Sequence, residues 1–198
     1  EDWSIIENNI GAYSKSKTLA ERAAWDFING AENINKMEMV SINPPLIFGP
    51  VLNKDFPTSA EMIRTFMLGK VPGVGRIKVG IVDVRDIASA ILLGMTTPDA
   101  AGNRFLCSAG TIWIKDLADL LHNRYGKRGY KIPRILFPSF AIKMLALFDK
   151  KIALLVQSLN WDFTLSNEKA KNILKWTPRS KEEATLAMAE SLIEQGFV

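Results

Sequence analysis

Gly11-Ala-Tyr-Ser-Lys-Ser-Lys-Thr-Leu-Ala-Glu-Arg-Ala-Ala-Trp-Asp-Phe-Ile-Asn-Gly30 is dense in strong helix formers, and its apolar positions Leu19, Ala23, Ala24, Phe27 and Ile28 keep a helical period. Asn29-Gly30 is a helix stop. After a short polar connection comes Met37-Glu-Met-Val-Ser-Ile42, an apolar run of strand length that closes at Asn43-Pro44-Pro45. Leu46-Ile-Phe48 is a second apolar fragment, ended by Gly49-Pro50. Proline has no amide donor and breaks a helix, so 37–50 reads as a strand running into a stiff loop.

The alternation continues outward from this unit. Thr58-Ser-Ala-Glu61 has capping-box spacing before an amphipathic helix that stops near Gly69. Pro72-Gly73 marks a turn. Lys78 to Val82 predicts a strand, with Asp83 and Asp86 as caps of a small-residue helix reaching about Met95. Asn103 to Ser108 predicts a further strand, and Thr111 is expected to open a helix running to Tyr125-Gly126. Ile135 to Val156 is the most apolar stretch and reads as a buried helix pair, with a membrane-surface or substrate-tunnel role as the alternative. Trp161 to Leu165 reads as an extended piece, Ser166 to Leu174 as a helix, and Ser180-Lys-Glu-Glu183 as a second capping box opening the last helix. Helices alternating with short apolar strands make an α/β protein.

Composition excludes several classes. Of 198 residues, 47% are hydrophobic and 23% charged, the mix of a folded globular chain. The formal net charge is +4, but the basic residues are scattered, and a nucleic-acid face needs them clustered with stacking aromatics. One cysteine, Cys107, and one histidine, His122, allow neither a disulfide nor a thiolate or imidazole metal cage. Cys107 reads as a small core residue and His122 as a surface or packed histidine rather than a base. No basic-then-apolar leader opens the chain. Charges interrupt the apolar stretch at Lys143, Asp149, Lys150 and Lys151, so it is not expected to span a bilayer, and no membrane partner is expected. A cytoplasmic setting is the expectation. Gly73-Val-Gly75 lacks the third glycine and the strand–helix frame of a dinucleotide loop.

The chemistry-bearing motif is Tyr13-Ser-Lys-Ser-Lys17. Residues four apart share one helix face. A phenol there can donate a proton to a carbonyl oxygen while hydride reaches its carbon. A free tyrosine ionises near pH 10, and an ammonium one turn away favours the phenolate. The spacing alone also suits an ordinary solvated helix face.

The run Tyr13 to Trp25 resembles the active-site helix of extended short-chain dehydrogenases/reductases, dihydroflavonol reductase-like members above all. Ser41-Ile-Asn-Pro-Pro-Leu-Ile-Phe-Gly-Pro50, Val82-Asp-Val-Arg-Asp-Ile-Ala-Ser-Ala90 and Ser166 to Arg179 with its Trp-Thr-Pro turn resemble later segments of the same family, in the same order. The resemblance implies the latter part of a Rossmann-type doubly wound parallel sheet with a small, mostly helical substrate lobe. It assigns about 1–50 and 78–110 to the sheet and active-site helix, and about 51–77 and 111–198 to the lobe. Tyr13 would be the proton donor and Lys17 the cofactor-ribose ligand. Pro44, Pro45 and Leu46 would face the nicotinamide of NADP or NAD. Ser59 would either reach the cofactor's phosphate side or merely cap its helix, and Arg85 stays unassigned. The family's Gly-rich turn and its Ser or Thr upstream of the tyrosine have no counterpart here, so the sequence is expected to be part of a longer protein.

The activity implied is NAD(P)H-dependent reduction of an aldehyde or ketone, and the apolar 133–155 region suits an apolar small molecule. Sugar-nucleotide epimerase or dehydratase chemistry and a steroid-dehydrogenase-like role are the enzymatic alternatives. A non-catalytic NADP-sensing module is the alternative of another class. A homodimer through the Tyr13 and Ser59 helices is the family-level expectation.

Overall fold

The computed structural model describes residues 3–8, 10–53 and 56–198, the side chain of residue 151 excepted. Its centre is β4 (Lys78–Asp83), flanked by β2 (Leu46–Phe48) in parallel and β6 (Thr111–Trp113) in antiparallel register. A second parallel pair joins β1 (Ser41–Asn43) to β5 (Arg104–Leu106). Successive side chains of a strand point to opposite faces. In β4, Ile81 accordingly enters one apolar core and Val82 another, and both are fully buried. In β2, Phe48 and Ile47 divide in the same way.

Helices cover both faces. The Ile81 side holds α2 (Thr58–Met67), α4 (Ile114–Tyr125) and α8 (Lys181–Glu194), through Ile63, Leu117, Leu121, Met188 and Leu192. The Val82 side holds α3 (Val84–Thr96) and α7 (Glu168–Leu174), through Ile87, Ala90, Ala170 and Leu174. The fold is α/β with helices on both faces of a mainly parallel sheet. The helices α4, α7 and α8, read from sequence with the lobe, pack against the sheet. Outside it stand β3 (Gly73–Val74), paired in parallel with β7 (Ile135–Leu136), and the short helices α5 (Ser139–Leu145) and α6 (Lys150–Leu155).

Several elements differ from the sequence reading. The run 37–42 is strand only from Ser41, because Met37 to Val40 meets no neighbouring ladder among the described residues. Thr111 does not open a helix. It opens β6, where Thr111, Ile112 and Trp113 face Gly80, Val79 and Lys78, and α4 begins only at Ile114. Gly73 lies in β3 rather than in a turn. The Thr58–Glu61 capping box does not form. Pro57 occupies the cap position of α2, with no side-chain cap. The Ser180 box does form in part, with Ser180 Oγ accepting from Glu183 N at 3.0 Å.

The two aspartates of 83–86 do different work. Asp83 caps α3 by accepting from Arg85 N at 2.9 Å, and the Arg85 guanidinium grips both its oxygens at 2.8 and 2.7 Å. Burial resists ionisation of Asp83, but Arg85 outweighs it and holds the carboxyl below its usual range. Asp86 is no cap. It receives Arg179 N at 2.7 Å and the Arg179 guanidinium, while its carbonyl accepts from the buried Trp176 Nε1 at 2.8 Å. Those bonds close the chain's C-terminal turn onto α3. Cys107 is fully buried, and burial pushes its thiol up to about 11, so it is an inert core group.

Asp86→Ala removes the buried carboxylate that holds Arg179 and leaves it only the exposed Glu183 at 3.3 Å, and the lost charge-assisted hydrogen bonds should cost about 2 kcal/mol in guanidinium unfolding followed by tryptophan fluorescence. A loss below about 0.5 kcal/mol, the size of an ordinary surface change, would show that this closure does not hold the fold.

Candidate active site

Helix α1 (Gly11–Asn29) carries the motif, and Gly30 ends it. Only Thr18 of this helix is buried, its hydroxyl bonded back to Ser14 O at 2.9 Å. Tyr13 is 75% exposed, and Lys17 Nζ lies 5.7 Å from its ring centroid. The two groups share a face as their spacing requires. Neither the phenol oxygen nor the ammonium has a hydrogen-bond or ion-pair partner among the described residues.

What seats this face is Glu21, one further turn along. Its carboxylate takes Arg104 Nε at 2.8 Å and Nη2 at 2.9 Å, Ser41 Oγ at 2.5 Å and Asn43 Nδ2 at 3.2 Å. The Arg104 bonds, helped by Ser41 and Asn43, outweigh desolvation and hold the carboxyl at about 2, against an ordinary value of 4.5. Trp3 stacks on the other side of Arg104, with the guanidinium carbon 3.7 Å from its ring centroid. The sequence reading missed Glu21, Arg104 and Trp3. A signal for Glu21 existed, since it stands four residues beyond Lys17 on the same face.

The direction of α1 follows from two ties. Asn33 Nδ2 donates to Ile28 O and Met37 O, both at 2.9 Å, joining the helix's last turn to the approach to β1. Glu21, nearer the helix start, binds Ser41 and Asn43 in β1 itself. Helix and strand therefore run antiparallel. Tyr13 lies about 12 Å further toward the helix start than Glu21, at the rise of an α-helix. Lys17 and Tyr13 thus extend past the carboxyl end of β1, on the side where Pro44 and Pro45 follow. Open α/β sheets hold ligands beyond the carboxyl ends of their strands.

That proline loop is fixed from beneath. A Cβ on Gly80 would come within 2.8 Å of Pro45 Cβ and would also collide with the Leu165 side chain, so Gly80 is what lets the loop lie on β4. Pro44 is exposed, while Pro45 and Leu46 are half-buried. Ser59 is not beside them as a free ligand. It is buried, and its hydroxyl donates to Ile47 O at 2.5 Å, tying α2 to β2. That corrects the reading of Ser59 as a cap, since no side chain caps α2 and the Ser59 hydroxyl is turned to β2. Arg85 is occupied by Asp83, with Glu183 at 3.8 Å. A concavity of about 590 Å³ lies between β1 and α3, lined by Val40, Ile42, Ile91, Gly94 and Met95 and not by Tyr13.

No family model matches the chain. Over 130 residues, 62% of its length, it is 30% identical to the NADPH-dependent methylglyoxal reductase GRE2 of Saccharomyces cerevisiae, and the match covers 38% of that protein. Over 186 residues, 93% of its length, it is 31% identical to cinnamoyl-CoA reductase CAD2 of Medicago truncatula, covering 49% of that protein. It superposes on the crystal structure of yeast methylglyoxal/isovaleraldehyde reductase Gre2 complexed with NADPH with a TM-score of 0.71 at 27% identity, over 94% of this chain and 52% of that one. The chain spans about half or less of the length of these relatives.

Glu21→Gln should weaken the docking of α1 by about 2 kcal/mol at pH 7, the scale of lost hydrogen bonds to a charged group, read as a lowered denaturant midpoint. Because the carboxyl is depressed, its contribution is complete above the ordinary value of 4.5 and fades as pH falls toward about 2. The gap between wild type and variant should close over that window. An equal midpoint at pH 7 would remove Glu21 from this role.

Proposed function

The chain belongs to the extended short-chain dehydrogenase/reductase family, and on that premise we propose that its protein reduces an aldehyde or ketone with NADPH or NADH, as dihydroflavonol reductase-like enzymes do. One observation carries the reading. A phenol and an ammonium without internal partners stand together on a helix whose start projects past the carboxyl end of β1.

The residues present fit the nicotinamide-riboside end of a dinucleotide. Lys17 offers ammonium donors suited to ribose hydroxyls, and the Pro44–Leu46 backbone forms a stiff wall for a flat ring. The described residues contain no Gly-rich turn for the pyrophosphate. When bound, the dinucleotide supplies a hydride to the carbonyl carbon. Tyr13 donates its phenolic proton to the carbonyl oxygen, so carbonyl, hydride and proton together give the alcohol. Lys17 holds its positive charge next to the phenol as that proton leaves, favouring the anion left behind. Glu21 and Arg104 act at a distance by fixing the helix, and they are positioning residues.

The NADPH-dependent methylglyoxal reductase of yeast among the relatives, whose crystal structure holds NADPH, favours NADPH as donor. The apolar character of 133–155 favours an apolar carbonyl compound over a sugar nucleotide. Exposed Leu19 and Phe27 on α1 favour pairing of two copies through that helix, whereas α2 commits Ala60 and Ile63 to the core.

The test begins with NADPH titrated into the protein and read by quenching of its five tryptophans. In protein that binds NADPH, Tyr13→Phe should lower aldehyde turnover by about 10²- to 10⁴-fold with the NADPH dissociation constant unchanged. Lys17→Ala should weaken NADPH binding as well as turnover. Wild-type turnover by Tyr13→Phe would exclude it as proton donor, and turnover of UDP-sugars but not aldehydes would exclude the reductase.

A further inference from the structure

The sequence reading buries Ile135 to Val156 as a helix pair, and the structure does not. Helices α5 and α6 pack on one another, but Ile142 is the buried residue of α5. Phe140, Met144, Leu147, Phe148 and Leu154 face solvent, Phe148 at 87% exposure. Phe140 and Met144 are one turn apart on α5, and Leu147 and Phe148 follow in the turn that leaves it. Trp161 belongs to the same surface. It is 64% exposed, and the preceding Asn160 donates its Nδ2 to Ser139 Oγ at 2.8 Å, at the start of α5. An apolar surface of this extent marks an interaction site.

Charge identifies the occupant. Residues 131–161 contain five basic residues, Lys131, Arg134, Lys143, Lys150 and Lys151, against the single acid Asp149, a net of +4 that equals the formal net charge of the whole chain. The remainder of the protein is electrically balanced. Lys131, Arg134, Lys143 and Lys150 are exposed, and none of them forms an ion pair among the described residues. Three exposed cations elsewhere do form ion pairs, Lys171 with Glu168, Arg128 with Glu190 and Arg85 with Asp83. An apolar face of Phe, Leu and Trp ringed by free cations matches the boundary between acyl chains and anionic headgroups. Interfacial tryptophan favours the same setting. Among the described residues no helix is long and apolar enough to cross a membrane, and the contact proposed below is with its surface.

We propose that α5, α6 and Trp161 form a docking surface for the interface of anionic phospholipid membranes. This goes beyond the reductase reading: it shares the 133–155 region with the preference for an apolar substrate but uses neither Tyr13 nor Lys17, so cofactor binding at those residues is read separately from vesicle binding.

The test is flotation of the protein with vesicles of phosphatidylcholine alone or with about 30% phosphatidylserine, at about 0.05 M and about 0.5 M salt. Binding should be at least about tenfold stronger to the anionic vesicles, and that excess should collapse at high salt. Leu147→Ser with Phe148→Ser, both at solvent-facing positions, should weaken binding about tenfold or more with an unchanged circular dichroism spectrum. Lys143→Glu with Lys150→Glu should cost about fivefold per charge. Absence of binding to either vesicle, or binding indifferent to both pairs of substitutions, overturns the proposal. So does a protein that self-associates through this face, seen as a dimer in ultracentrifugation that the Leu147/Phe148 variant converts to monomer while vesicle binding is absent. NADPH titration of the same variants reads the Tyr13 site separately.

Discussion

Two-sided burial of β4 is the constraint on which the rest of the molecule depends. Ile81 and Val82 are adjacent, yet each is the floor of a different apolar core. A strand in that position tolerates no exposed face, so helices must close over both sides, and they do so from distant parts of the chain. The C-terminal helix α8 closes the Ile81 side, and the Trp176 turn closes the Val82 side. Asp83 ends the same strand and sets the first turn of α3, with its charge balanced by Arg85. The carboxyl edge of the sheet is thereby fixed in space, and the proline loop rests directly on Gly80.

The active-site helix relates to this body differently. It contributes one buried residue, Thr18, and its position rests on a polar clamp, with Glu21 against Arg104, Ser41 and Asn43. Such a clamp is directional where apolar packing is not. It fixes the rotation of the helix about its axis and so decides which face Tyr13 and Lys17 present. The charge-assisted bonds also keep Glu21 ionised far below ordinary carboxylate range, so the clamp holds across neutral pH.

The apolar lobe shows the limit of reading burial from hydrophobicity. Its residues are as apolar as those of the core, yet they surround helices of six and seven residues that cannot enclose them. Position in the fold, rather than side-chain chemistry, left Phe140, Leu147 and Phe148 outside.

By itself the sequence determined the elements whose signals are local. Helix α1 and its Gly30 stop, strand β4, helix α3 and the Ser180 cap all follow from period, capping residues and breakers within a few positions. The juxtaposition of Tyr13 and Lys17 is local too, because helix geometry alone brings them together. The tertiary structure decided whatever depends on a distant partner. Thr111 to Trp113 is strand because Lys78 to Gly80 offers it a ladder, and Ser59 is buried because Ile47 accepts its hydroxyl. Asp86 became the anchor of Arg179, 93 residues away, and Glu21 the partner of Arg104, 83 residues away. No periodicity encodes such pairs, since they form only when the folded sheet brings the two ends together.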